Sequence, residues 1–270
     1  MPTVIECNRT MKTAIIIWLI AVTQSLLAIS GIFGITNTTY ERITFGLLEL
    51  MTMVLVIANL AAINRFIAKK KHPIAYKLGR LCFYSLLFCF IGDIINRNFL
   101  QQFYQYDSLI KHSYLADSVV FFFPGYLILT AAVVYIAKLK GVSNRFLITT
   151  AILASITALY TYFDMHLANS STLLTLITAS YSVLVSILAV SAIWLLKAFR
   201  WRQASLKIWL VAFGLVLAMI ADAIIGQFWI FGNQGQGYFP MVSHINWIIY
   251  VASQLLVQQL PLALLQNKHR

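Results

Sequence analysis

Two carboxylates sit inside apolar stretches of this chain and repeat one local string. One is Ile91-Gly92-Asp93-Ile94-Ile95, running on to Phe99, and the other Ile220-Ala221-Asp222-Ala223-Ile224, running on to Phe228. An ionisable side chain at bilayer depth is costly, which makes each a candidate functional residue. Two acids in unlike surroundings can divide general acid and general base chemistry between them. The surroundings here do differ. Asp93 has Arg97 one turn later, an i, i+4 spacing that predicts an ion pair within the helix. Asp222 has no such neighbour: its stripe at four-residue spacing reads Gly214, Ala218, Asp222, Gly226, small residues that let another helix approach closely. A buried acid with no cation beside it tends to keep its proton, so Asp222 is the candidate general acid and Asp93 the candidate carboxylate.

The partners expected for these acids lie toward the end of the chain. Asn246, Tyr250, Gln254 and Gln258 recur every four residues and draw one polar stripe down an apolar helix. In lipid such a stripe must turn inward, and it is expected to wall the same pocket, with Tyr126 from an earlier segment. Thr175, Thr178, Ser182 and Ser186 read as interhelical hydrogen-bonding glue. His72, His112, His166, His244 and His269 fall at loops and helix ends, and no clustered ligand set for zinc is seen. No cofactor or metal is called for. Cys7, Cys82 and Cys89 are too few and too scattered for a disulfide framework, and no Gly-x-Ser-x-Gly motif appears.

The elements that must position these residues are membrane helices. Hydrophobic residues make up 60% of the 270 and charged residues 10%, against roughly 45–50% and 25% in a soluble domain. Segments of about 20 apolar residues span a bilayer. Eight are marked off by charge clusters, at about 13 to 35, 43 to 64, 80 to 97, 117 to 137, 146 to 163, 172 to 196, 207 to 230 and 241 to 264. The net charge of +12 is not gathered on a soluble face as a nucleic-acid partner would require. Alternate gaps hold seventeen of the twenty Lys and Arg, leaving only Arg42, Arg97 and Lys111 on the other side. That asymmetry predicts cytoplasmic termini, with anionic headgroups as incidental contacts; a bacterial-type inner membrane is the compartment expected from the missing targeting signals.

The fold class expected is therefore all-α, a single transmembrane domain over residues 1–270 with eight transmembrane helices. The run after Met11-Lys12 has no convincing cleavage site and reads as a retained helix. The sequons at Asn8, Asn37 and Asn169 matter only in a secretory pathway. Tyr104, Tyr106 and Tyr114 read as an interfacial aromatic belt. The third and seventh segments run in the same direction, and each is followed by a Tyr in the next helix, Tyr126 and Tyr250, at offsets of 33 and 28 residues from its Asp. A parallel four-plus-four repeat with a site at its interface is the reading that follows. Counted from their inner ends, both acids lie near 20 Å up at about 1.5 Å per residue, in one outer-leaflet pocket.

The motifs Gly92-Asp93, Ala221-Asp222 and Tyr250-Val251-Ala252-Ser253-Gln254-Leu255-Leu256 resemble the YhhN family of eight-helix membrane proteins, which includes lysoplasmalogenases. The resemblance spans about residues 42 to 262, and the chain is a divergent member: Ala221 precedes the second Asp, no His accompanies Tyr126, and Arg97 follows the first Asp. The resemblance implies hydrolysis of the vinyl ether bond of a lysoplasmalogen, releasing a fatty aldehyde. The substrate is then a lysophospholipid or other lipid. Asp93 and Asp222 would be catalytic, and Tyr250, Gln254, Asn246, Tyr126 and Arg97 would bind substrate. The alternative from another class is a proton- or cation-coupled transporter, or a small-molecule sensor, using the same acids.

Overall fold

The computed structural model describes residues 2–32, 39–99, 104–106, 109–111, 114–165, 171–230 and 240–266. In lipid a backbone must satisfy its own hydrogen bonds, and helices do so within one segment. Nine α-helices are described: α1 (Pro2–Ile29), α2 (Thr39–Lys69), α3 (Pro73–Asn96), α4 (Tyr114–Leu139), α5 (Asn144–Met165), α6 (Thr172–Ala198), α7 (Leu206–Ile225), α8 (Pro240–Val257) and α9 (Leu260–Gln266). A short antiparallel ribbon, β1 (Tyr104–Tyr106) with β2 (Leu109–Lys111), pairs Tyr104 with Lys111. Eight of the described helices are long and apolar enough to cross a membrane, α8 and α9 together forming the last. The protein is a multi-pass membrane protein.

Local chemistry sets the helix boundaries. Pro73 opens α3, where its missing N–H is no loss, and the His72 ring accepts from the Ala75 N–H at 3.1 Å. α2 and α3 therefore continue to Lys69 and from Pro73, past the expected limits near 64 and 80. Their basic residues ride on helix ends with apolar stems against the bundle; Lys77, for instance, lies 4.2 Å from the Tyr135 ring centre. The last crossing is not one straight helix. Pro261 has no N–H for the carbonyl of Val257 and crowds it, so α8 stops at Val257, Gln258 and Gln259 form a turn, and α9 resumes at Leu260.

The helices close into a ring in the order α1, α2, α3, α4, α6, α7, α8 and back to α1. The most extensive contacts are α3 on α4 and α7 on α8, the matching pairs of a four-plus-four repeat. Glycines permit these approaches. A Cβ on Gly125 of α4 would meet Cys89 Sγ at 2.9 Å and the Ser85 carbonyl at 3.0 Å, and the Ser85 hydroxyl donates to the Gly125 carbonyl at 2.7 Å. A Cβ on Gly214 of α7 would meet Leu256 Cβ at 2.8 Å, which realises the close approach expected of the Gly214 stripe.

The packing departs at one place from what a four-plus-four repeat would give. α1 packs between α2 and α8, so its counterpart α5 should pack between α6 and α4. Instead α4 packs directly on α6, and α5 lies outside, held to α6 by Tyr162 OH with Thr178 Oγ1 at 2.6 Å and by Trp194 Nε1 to Thr150 Oγ1 at 2.7 Å. Only 22% of the membrane-length part of α5 is buried, against 67% for the last crossing. α9 packs against α3, α7 and α2, with Leu260, Leu262 and Ala263 fully buried.

Charge divides the two ends. Among the described residues, the end bearing the α2–α3, α4–α5 and α6–α7 turns carries fifteen of the eighteen Lys and Arg and, of the seven acids, only Glu6. The opposite end and the half of the bundle below it, the acidic end, hold the other six described acids.

Candidate functional site

The two acids stand at matched positions near the acidic end. Asp93 precedes Asn96, the last residue of α3, by three residues, and Asp222 precedes Ile225, the last of α7, by three. Counted from the basic end the two differ, because α3 begins at Pro73, about 30 Å below Asp93 at 1.5 Å per residue, against about 24 Å from Leu206 to Asp222.

Each acid faces a tyrosine of the other half. The Tyr250 hydroxyl of α8 donates to Asp93 Oδ2 at 2.9 Å. Tyr126 of α4, fully buried, directs its hydroxyl toward Asp222 just outside hydrogen-bonding geometry, and Asp222 Oδ2 has no partner. Asp222 Oδ1 accepts from Tyr181 of α6 at 2.9 Å. The Tyr126 and Tyr181 rings stack at 6.1 Å and 11°, so two phenols frame one carboxyl.

The expected pair between Asp93 and Arg97 gives way to another. Arg97 caps α3, and its guanidinium forms its ion pair with Glu49 of α2, which is 4% exposed. The guanidinium also lies 4.8 Å from the Trp247 ring centre. A one-turn helical spacing offers proximity, but Glu49 comes from a neighbouring helix and lets Arg97 turn away from its own axis. His244, expected at a solvated or interfacial position, is instead buried in α8 with its ring edge-on to Phe45 at 5.3 Å.

A cavity of about 170 Å³ lies at the acidic end, lined by α3, α4, α5, α6 and α7. Its polar wall includes Asp222, Tyr181, Asn96, Ser182, Ser186 and Thr161; its apolar wall includes Val119, Phe122, Val185, Met219 and Ile225. Of the candidate site residues from the sequence, Asp222 lines it, and Asp93, Tyr126, Arg97, Asn246, Tyr250 and Gln254 do not line this cavity. The partition is Phe122, whose ring lies against Gly92 and 6.2 Å from the Tyr250 ring, so that Asp93 is 3% exposed behind it.

The stripe on α8 does turn inward, with Asn246, Tyr250, Gln254 and Gln258 all buried. It turns toward α3 and the bundle axis, because the opposite flank of α8 is taken up by Gly214 of α7 and by α1. It therefore does not wall the cavity. Of the glue residues of α6, Thr178 holds Tyr162 and, with Ser182 and Ser186, lines the cavity, while the Thr175 carbonyl accepts from Tyr162 at 3.2 Å.

Three residues of the site escaped sequence reasoning. Glu49 lies within a membrane span and met the criterion that singled out the two aspartates. Tyr181 is one of 13 tyrosines, and Asn96 sits at a helix end; neither carried a signal without knowledge of which helices adjoin. Cys82 and Cys89 are buried free thiols. The sequon at Asn8 falls within α1; the sequons at Asn37 and Asn169, His112, His166, His269 and the side chains of Cys7, Asn8, Tyr104, Tyr106 and Tyr114 lie outside the described residues. No three His, Cys, Asp or Glu gather into a metal-sized cluster among the described residues. No family model, curated protein or solved structure matches this chain.

Proposed function

We propose that this protein is an integral membrane hydrolase of the lysoplasmalogenase type, with Asp222 as its proton donor. The observation that carries this reading is a single carboxyl, oriented by Tyr181, on the wall of a half-apolar cavity within the span of the membrane helices. Such a wall suits the junction of an apolar chain with a polar glycerol, and the resemblance to the YhhN family supports the same class. By the positive-inside rule we read the basic end as cytoplasmic and the cavity as lying in the outer leaflet; the membrane proposed is a bacterial-type inner one.

One carboxyl can serve both steps. The Asp222 carboxyl delivers its proton to the vinyl carbon remote from oxygen, and the carboxylate that remains faces the resulting oxocarbenium ion. Water adds to the cationic carbon and returns a proton to Asp222. The hemiacetal then collapses to a fatty aldehyde and a free glycerol hydroxyl, so the carboxyl ends as it began. Asp93 takes no step in this scheme; with Tyr250 it positions α3 against α8.

The test is aldehyde release from a lysoplasmalogen by the purified protein in detergent. Release that disappears in Asp222→Asn supports the reading, and no release from folded wild-type protein sinks it. The crossed acid–tyrosine pairs at the repeat interface favour a second reading, a proton- or cation-coupled transporter. Proton-coupled solute uptake in liposomes would select it.

A further inference from the structure

We infer that the ligand of the Asp222 cavity is a single-chain amphiphile that arrives sideways from the leaflet, between α4 and α5, and leaves its tail in that gap. The inference rests on the hydrolase reading for the reaction, but its geometry is independent of it. α4 and α5 are consecutive helices joined by a short turn, yet among the described residues α5 packs extensively on α6 alone. Both nevertheless line the cavity, α4 through Val119 and Phe122 and α5 through Thr161 and Met165. Two helices that wall one cavity without packing extensively on each other leave that cavity to fill the space between them. The rim on the α5 side is open to the surroundings, with Thr161 exposed and Met165 40% exposed.

The same gap does not exist in the other half of the repeat. There α1 occupies the place that α5 vacates, packing on both α2 and α8, with Trp18 Nε1 donating to the Ile248 carbonyl at 3.2 Å. The displacement of α5 is thus what opens a path to Asp222.

Size selects the kind of ligand. At about 170 Å³ the cavity is smaller than the roughly 300–1,000 Å³ of pockets that enclose a whole small molecule. It holds the polar junction of a lipid and not its chain. The chain must leave through the wall, and the α4–α5 gap delivers it into the leaflet at the depth where tails already lie. A second chain would have to share the same gap, which favours a lysolipid over a two-chain lipid.

The experiment places bulk at the rim. Met165→Trp and Thr161→Trp are compared with Leu153→Trp, a change on the exposed surface of α5 about two to three turns away. A non-hydrolysable lysolipid ether with a fluorescent tail is titrated against each protein in nanodiscs, and hydrolysis is measured with a long-chain lysoplasmalogen and a short water-soluble vinyl ether. Rim variants should weaken tail-labelled lipid binding at least tenfold, and lower long-chain turnover at least tenfold more than short-chain turnover, while Leu153→Trp matches wild type. Binding that is unchanged in both rim variants, absent in wild type, or equally lost in Leu153→Trp overturns the inference. Binding that responds as expected without any turnover in wild type leaves the route standing and removes the hydrolase reading.

Discussion

Arg97 of α3 and Glu49 of α2 form an ion pair near the acidic end of the bundle, and the face of Trp247 lies 4.8 Å from the guanidinium carbon. Three helices, α2, α3 and α8, thereby meet on one cation. Removing either member of a buried pair leaves the other charge uncompensated, at about 3–5 kcal/mol. Glu49→Gln and Arg97→Met should each destabilise the protein by about that amount, discounted for the partial exposure of Arg97. The double variant, with both charges gone, should recover most of the loss. Denaturant unfolding in micelles measures all three.

The two acids should respond unequally. Asp222→Asn removes the proposed proton donor and should lower aldehyde release by about 10²–10⁴-fold, the usual worth of general acid catalysis. Asp93→Asn keeps an acceptor for the Tyr250 hydroxyl and lies behind Phe122, so turnover should stay within about tenfold of wild type. Equal losses in both variants would restore the two-acid scheme expected from the sequence.

Tyr181→Phe isolates the hydrogen bond to Asp222 while retaining the ring stacked on Tyr126. A hydrogen bond to a charged or proton-transferring group is worth about 1.5–3 kcal/mol, so turnover should fall about tenfold or more with an unchanged melting temperature. A change in stability with unaltered turnover would assign Tyr181 to the scaffold.

Gln258 and Gln259, 2% and 0% exposed, leave all four of their amide atoms without a hydrogen-bond partner. Burying an unpaired polar group costs about 1–3 kcal/mol. Gln259→Leu should therefore raise the melting temperature, and a clear fall would show that the turn is satisfied by groups such as bound water.

Gly214 leaves no room for a methyl group against Leu256 Cβ, and the Ser253 carbonyl is 3.2 Å from the position a Cβ would take. Gly214→Ala should cost about 1–3 kcal/mol through strain at the α7–α8 contact. Gly226→Ala is the control, since nothing lies within 4 Å of its Cβ position.

The crossings were legible because the bilayer demands length and apolarity, and the charge clusters between them mark the turns. The break in α8 was legible in principle too: Pro261 interrupts a run that hydropathy alone carries through to residue 264. The depth of Asp93 and Asp222 could be approached from their distance to helix ends. Their partners could not, because Tyr250 meets Asp93 and Tyr181 meets Asp222 only through the ring order of the helices. Hydropathy encodes that a helix is buried and says little about its neighbour. The displacement of α5 was equally hidden, since its sequence is as apolar as that of a ring member.

The turn at Gln258 and Gln259 gives the last crossing two jobs at opposite depths. Above the turn, Tyr250 holds Asp93 near the acidic end; below it, toward the basic end, α9 packs against α3, α7 and α2. One continuous stretch of chain thus ties the carboxyl of Asp93 to packing at the far end of the bundle, and a movement of α9 would pull on Tyr250 and through it on Asp93.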